Sequence, residues 1–191
     1  MSKIEVDTIE PQSGTSLTIG ASGDTITIPS GATLTNSGTA TGFGKVLQVV
    51  STTKTDTFTT SSTSLTDLTG MSASITPSST SNKILVLSSL TYGSNNYNAH
   101  GILLRGATEI AKATAGTNPT TFAMSGNNSQ SFAIYCHSIS HLDSPSTTSA
   151  TTYKVQVKVQ SGGTFYLNQS DRDNSDDLRG VSTLTLLEIA G

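Results

Sequence analysis

The chain has 191 residues, of which 34% are hydrophobic and 12% charged, and its formal net charge at pH 7 is −3. This length is enough for one ordinary domain and an appendage, and the dispersed charges form no basic patch for nucleic acid or an anionic membrane. The single cysteine excludes an internal disulfide and any metal site built from several cysteines.

Serine and threonine make up about a third of the chain, which disfavours long helices because their hydroxyl groups compete for backbone hydrogen bonds. Threonine, valine and isoleucine favour strands instead. No window approaches the ~20 apolar residues of a membrane-spanning helix, and the first residues lack the apolar core of a secretory signal. We therefore expect an all-β protein that is made in a cytoplasm and does not insert into a membrane.

Residues 15–44 contain a loose repeat in which short aliphatic positions are separated by glycines. The aliphatic positions are Leu17, Ile19, Ile26, Ile28 and Leu34. Each unit predicts a very short strand and a glycine-based turn, with a period of about seven to nine residues. One copy buries too few side chains to offset the entropy of ordering its backbone, so an ordered zone needs identical chains around a common axis. The alternative is a flexible linker rich in Gly, Ser and Thr.

Residues 45–191 show strand patterns at the spacing of hairpins and loops, and they predict about eight to ten strands. Segment 82–92 is apolar at both parities, as in a strand that is buried on two faces. A hairpin is expected to turn at Gly106. Segment 153–168 alternates strictly and then passes through a glycine-rich turn, which predicts an antiparallel return. Together these patterns favour a two-sheet antiparallel sandwich of the jelly-roll type.

The predicted sandwich leaves long polar loops, where binding surfaces usually form. One of them combines tyrosine with asparagine, residue types that suit polar ligands such as glycans. Its candidate contact residues are Tyr92, Asn95, Asn96, Tyr97 and Asn98.

A second polar loop, 171–177, places oxygen-bearing side chains at alternate positions, like the start of a calcium loop. Asp176 and Ser182 stand where such a loop needs Gly and a bidentate Glu. We therefore expect a solvated turn in which Arg172 and Arg179 balance the carboxylates, with an ion in this loop as the open alternative.

No sequence pattern typical of an enzyme active site is present, neither G-x-S-x-G nor H-E-x-x-H. His137 and His141 share one face of a predicted strand about 13 Å apart, which is too far for one metal ion. Copies of one histidine meeting at a symmetry axis stay an open alternative. We expect a protein with no catalytic residues, cofactor or metal within one chain.

The segment SKIEVDTIEPQSGTSLTIG, followed by GDTITIPSGAT, resembles the N-terminal signature of tail-fibre and other virion structural proteins of bacteriophages, particularly marine and cyanobacterial phages. The later segments LDSPSTTSATTYKVQVK, GTFYLNQS and STLTLLEIAG resemble a recurrent C-terminal domain of phage fibres. The resemblance covers nearly the whole chain.

The resemblance implies a homotrimer in the virion with three parts: a docking segment at 1–14, an intertwined β-rich stalk at 15–44 and a jelly-roll-like head at 45–191. Docking to other virion proteins of tail, baseplate or capsid would use Ile4, Val6, Ile9 and Pro11. The five aliphatic positions of the repeat would line the trimer axis. Head loops would bind a glycan or protein of the host surface, and their candidate residues include Asp171, Arg172, Asp173 and Arg179 besides the Tyr/Asn loop.

Two other functions stay open at this point. The chain is much shorter than a long fibre, which leaves room for a minor fibre, a baseplate component or a decoration (cement) protein on the phage capsid. A secreted or surface lectin of a bacterium is disfavoured, because no secretory signal is visible.

Overall fold

The computed structural model describes residues 8–33, 35, 37–38, 46–95, 99–114, 119–124, 131–160 and 162–191. The chain divides into two units, Met1–Phe43 and Gly44–Gly191. The second unit is all-β with antiparallel sheets, and no helix occurs anywhere in the described residues. Accordingly, the described part of the chain contains no helix that could cross a membrane.

The described residues of the second unit form eleven strands. They are β1 (Val46–Lys54), β2 (Phe58–Thr60), β3 (Thr66–Ile75), β4 (Lys83–Asn95), β5 (Ala99–Arg105), β6 (Thr108–Ile110), β7 (Phe122–Met124), β8 (Tyr135–Asp143), β9 (Thr151–Val159), β10 (Thr164–Leu167) and β11 (Ser182–Ile189).

The larger sheet has six strands and is organised around the long strand β4. One edge of β4 pairs with β8, and the other edge pairs first with β11 and then with β10. The sheet is completed by β1 beside β11 and β2 beside β10. Paired residues of the four neighbouring strands β1, β11, β4 and β8 therefore form continuous rows across the sheet.

The smaller sheet has five strands, in which β9 lies between β3 and β5. The other edge of β5 pairs with β6 and β7. The hairpin predicted at Gly106 is confirmed, because Arg105 pairs with Thr108 across it. The antiparallel return predicted after β9 is wrong: both edges of β9 are already occupied, so β10 crosses to the larger sheet and pairs with β2 and β4.

Both sheets contribute side chains to one hydrophobic core. The inward positions predicted for β9 are confirmed, because Tyr153, Val155, Val157 and Val159 are each at most 3% exposed. On β4, one apolar face lies in this core, whereas Leu87 on the opposite face is 38% exposed. The second unit by itself thus covers only one of the two apolar faces that the sequence of β4 predicts to be buried.

A buried ion pair joins the two sheets where β8 ends. The Arg105 guanidinium donates to both carboxylate oxygens of Asp143 at 3.0 and 2.9 Å, and the Tyr153 hydroxyl donates to Asp143 Oδ2 at 2.7 Å. The Asp143 side chain is only 8% exposed. Burial, together with the bond to Asp143, raises the pKa of Tyr153. Three strands, β5, β8 and β9, are therefore tied through one carboxylate.

A second buried carboxylate belongs to Glu188 of β11, which is 1% exposed. Its Oε1 accepts from the Ser78 amide at 2.6 Å, the Ser78 hydroxyl at 2.8 Å and the Asn82 amide at 2.6 Å. Burial favours the neutral acid, but the hydrogen bonds from Asn82 and Ser78 outweigh it and lower the pKa of Glu188. This carboxylate holds the β3–β4 connection against the last strand.

Candidate functional site

The connection between β10 and β11, which we call the 168–181 loop, is organised around Asp177. The Asp177 carboxylate accepts from the Ser170 hydroxyl at 2.6 Å and from Arg172 through Nε and Nη2. The Asp177 side chain is 2% exposed. The bonds from Arg172 and then Ser170 hold the pKa of Asp177 well below its usual range. A charged, fully bonded carboxylate thus fixes the middle of the loop.

The base of the loop is held by the buried residue Asn168, which has a positive φ of 59°. Its side-chain amide donates to the carbonyl oxygens of Lys54 at 2.8 Å and Asp56 at 2.9 Å. Its Oδ1 accepts from the Ser182 hydroxyl at 2.7 Å. An asparagine fits here because it tolerates the left-handed conformation and supplies both donors and an acceptor.

Two glycines, Gly93 of β4 and Gly180 of the loop, allow the loop to lie close against β4. A Cβ built on Gly93 would lie 2.6 Å from the carbonyl oxygen of Gln169, and one on Gly180 would overlap the side chain of Thr91. The Gly180 amide donates to the carbonyl of Asn168 at 3.0 Å. Only residues without a side chain allow this close approach.

Arg179 and Arg172 brace the outer part of the loop. Arg179 donates to Gln169 Oε1 at 3.0 Å and forms an ion pair with Asp173 at 2.8 Å. The Arg172 guanidinium lies 5.4 Å from the centre of the Phe132 ring. The prediction that Arg172 and Arg179 balance loop carboxylates is confirmed for Asp177 and Asp173, with which they form ion pairs.

The surface that this brace presents is mixed in chemistry. Leu178 is 70% exposed, Val181 49% and Phe132 48%, and the exposed residues 174–176 add amide, hydroxyl and carboxylate groups. Such a surface offers apolar contact area and hydrogen-bonding groups on a rigid support, which suits recognition of a polar partner with apolar patches.

Three of the four loop carboxylates are engaged by protein groups, whereas Asp176 is exposed. Asp173 is paired with Arg179, Asp177 with Arg172, and Asp171 accepts a bond from Tyr166, whose pKa is raised by burial and by that bond. No group of three or more His, Cys, Asp or Glu side chains placed to hold a metal ion occurs among the described residues. Guanidinium groups stand where a calcium site would need free oxygens.

The predicted Tyr/Asn loop needs a correction at its start. Tyr92 lies inside β4 and is 5% exposed, with its ring stacked 5.8 Å from that of Phe165, so it does not present a contact surface. Asn95 ends β4, and its Oδ1 accepts from the Thr164 amide at 2.7 Å. The candidates Asn96, Tyr97 and Asn98 lie outside the described residues.

The two histidines lie on β8, as their strand pattern predicts. His137 pairs in register with Leu90, and His141 pairs with Val86. The His137 ring contacts Phe122 edge-on, with 5.3 Å between centroids. Their side chains therefore face the same side of the sheet as the core residues of β4.

Residues 8–33 of the first unit contain no strand, so the very short strands predicted there are not formed by one chain. A strand needs a partner for its backbone groups, and the backbone bonds found in this range close two turns, from Asp24 to Ala21 at 3.0 Å and from Ala32 to Pro29 at 3.1 Å. The third residue of the second turn, Gly31, has φ 86°, which identifies a type II turn. The predicted glycine-based turns are confirmed at these two positions.

The aliphatic side chains before and between these turns are exposed. Ile9 is 61% exposed, Leu17 45%, Ile19 62%, Ile26 60% and Ile28 48%. Pro11 is half-buried. The docking candidates Ile4 and Val6 and the axis candidate Leu34 lie outside the described residues.

Sequence reasoning missed the parts of the site that depend on distant contacts. The residues that fix the 168–181 loop include Asn168, Ser170 and Asp177. All three lay in segments that the sequence singled out, but Asn168 was expected only to end an antiparallel return, and no local pattern indicated its hydrogen bonds to distant residues.

No protein-family model matches this chain, and no curated protein matches it either.

Proposed function

We propose that this chain is the subunit of a homotrimeric, fibre-type attachment protein of a phage virion, with a docking segment, an intertwined β stalk and a jelly-roll-like head. The observation that carries the proposal is the exposure of regularly placed aliphatic side chains in residues 8–33. The role is adsorption to a host surface rather than catalysis, and it requires no cofactor.

The spacing of these side chains supports a stalk. Ile26 and Ile28, like Leu17 and Ile19, are two positions apart, so in an extended segment both members of a pair point to the same side. Isolated exposed aliphatic residues are common on protein surfaces, but repeated same-side pairs without a core of their own are not. Three identical chains around one axis would bury each pair against its copies and complete the strand pairing.

The 168–181 loop supports the attachment role of the head. The hydrogen bonds within the loop hold Leu178 and the neighbouring polar groups in one conformation, so little conformational entropy is lost when a partner binds. Three such loops on one fibre would convert weak single contacts into tight attachment through avidity. The partner chemistry that fits best is a host-surface glycan or protein with both polar and apolar groups.

The trimer is tested by native mass spectrometry of the full chain. We expect a trimer for the wild type and its loss in Ile26→Asp/Ile28→Asp, because charges would be buried at the axis. Thr27→Asp is the matched control, since this residue points to the opposite side of an extended segment. A wild-type chain that stays monomeric at micromolar concentration contradicts the proposal.

Attachment is tested on an array of bacterial capsular polysaccharides and lipopolysaccharides. We expect Leu178→Asp to weaken binding roughly tenfold or more, as for a central contact residue, without changing the thermal unfolding of the head. Copy number in the virion separates attachment from decoration: a few copies per particle are expected, whereas hundreds relative to the major capsid protein would indicate a cement protein.

A further inference from the structure

We infer that three copies of this chain pack together through two adjacent rows of side chains on the outer face of β1, β11, β4 and β8, which we call the uncharged face. This inference rests on the proposed homotrimer and names the surface of the second unit that forms it. The face is defined by strand register, because the side chains opposite to the core alternate along all four strands.

An aliphatic row crosses the uncharged face. Val49 pairs with Leu187, Leu187 with Leu85, and Leu85 with Leu142, so one apolar side chain from each strand stands side by side over about 14 Å. The two ends of the row are the most open, with Val49 58% and Leu142 55% exposed. A monomer would leave this continuous row in water, which soluble proteins avoid outside contact surfaces.

The row on one side carries mainly small hydroxyl side chains, and on the other side Lys83 of β4 borders the aliphatic row, with its ammonium group donating to the Ser144 hydroxyl at 2.8 Å. The hydroxyl-bearing row is formed by Ser51, Thr185, Leu87 and Ser140. Cross-strand contacts such as that of Ser51 with Thr185 at 2.8 Å satisfy these hydroxyl groups within the sheet. The small side chains leave a shallow depression of about 390 Å³ next to Leu87. The aliphatic row and the depression thus lie on the same surface, so the row of one copy can pack into the depression of another.

The charge pattern selects a copy of the same chain as the occupant. None of the side chains in these two rows is charged, and the bordering Lys83 is turned to the Ser144 hydroxyl, so the two rows of identical copies meet without like-charge repulsion. The outer face of the smaller sheet differs: Lys154 and Lys158 alternate with Gln156 on β9, and Asp67 of β3 pairs with Lys154 at 2.9 Å. That face has the composition of a solvated surface, and the uncharged face has that of an interface.

Two further features favour a closed arrangement of three copies. Segment 82–92 is apolar at both parities, yet the core covers only its inward side chains, so the sequence of β4 anticipates burial that one chain does not provide. The chain also enters the second unit through β1, the edge strand of this face. In a homotrimer with cyclic symmetry, the face of each copy can contact those of the two others.

The test uses the full chain, with the oligomeric state measured by native mass spectrometry. Val49→Asp and Leu142→Asp should each weaken association roughly 100-fold or more, because every copy would bury an unpaired carboxylate. Leu178→Asp is the matched control: it makes the same exchange at a more exposed leucine and should leave the trimer intact. A trimer that persists at full strength in both face variants overturns the inference.

A second readout does not depend on disruptive variants. Serine replaces the single cysteine (Cys136→Ser), and a thiol is introduced within the face by Ser140→Cys. In the trimer this thiol should react with a maleimide at least about tenfold more slowly than after addition of Val49→Asp, because the interface excludes the reagent. Equal rates in the two proteins overturn the inference.

The outcomes also separate this inference from the proposed function. Loss of the trimer only in Ile26→Asp/Ile28→Asp overturns the uncharged face as an interface and leaves the trimeric fibre standing. Loss only in the face variants supports the face and removes the stalk from the proposal. A wild-type monomer or dimer overturns both.

Discussion

The two units of this chain share a composition rich in serine, threonine and isolated aliphatic residues, yet only one of them builds its own core. In the second unit, isoleucines such as Ile84 are fully buried, because strands distant in sequence pair around them. In the first unit, Ile26 is 60% exposed, and no described residue between 8 and 33 lies in a strand. The difference teaches that aliphatic content does not decide folding here; the availability of strand partners does.

The largest effect that sharpens this comparison is expected at the ion pair that ties the sheets of the second unit. Asp143→Ala leaves the buried Tyr153 hydroxyl without its acceptor and Arg105 with only the carbonyl oxygen of Ser144. It should lower the free energy of unfolding by about 3–5 kcal/mol. Asp67→Ala removes an ion pair at the surface and should cost less than about 1 kcal/mol. Urea denaturation of both variants checks the contrast, and equal losses would contradict it.

A matched pair of substitutions compares the units directly. Ile84→Ala opens a cavity in the core and should lower the free energy of unfolding by about 2–4 kcal/mol. Ile28→Ala, measured at a dilution where the chain is monomeric, should change it by less than about 0.5 kcal/mol. At higher concentration Ile28→Ala should weaken the trimer, which sedimentation equilibrium would detect. A large effect of Ile28→Ala on the monomer would mean that the first unit does form a core of its own.

The smallest expected effect is the acid sensitivity of the second unit. Because the folded-state pKa of Glu188 is lowered, its contribution to stability is present above the unfolded-state pKa of about 4.3 and is lost as pH falls through the folded-state pKa. Glu188→Gln keeps the acceptor oxygen but removes the titrating group, so it should flatten this part of the pH dependence. Urea midpoints between pH 7 and pH 3 measure it, and parallel profiles for the two proteins would refute the assignment.

The sequence predicted the local features well. The strict alternation of residues 153–159 placed four side chains in the core, and Gly106 marked a hairpin. Both signals are local, because side-chain alternation and a positive φ depend only on neighbouring residues. The double apolar parity of 82–92 predicted a strand buried on two faces, and the second unit by itself buries one of them.

What the sequence did not predict depends on which strands become neighbours. The separation of β9 and β10 into different sheets follows from the occupied edges of β9, which no local pattern records. Tyr92 stands among turn-forming residues but packs on Phe165. Glu188 is held by Ser78, 110 residues earlier in the chain, so its burial could not be read from its surroundings in sequence.

The 168–181 loop contacts β4 at Gly93 of the strand and at its own Gly180. These contacts divide the loop residues into two classes. The exposed positions 174–176 and 178 can change chemistry without disturbing the scaffold, whereas Asp177 is held by its hydrogen bonds. A side chain at Gly93 would meet the backbone of the loop, and one at Gly180 would overlap the side chain of Thr91. A handful of substitutions at the tip can therefore exchange the chemistry that the loop shows to solvent while its contacts with β4 are kept.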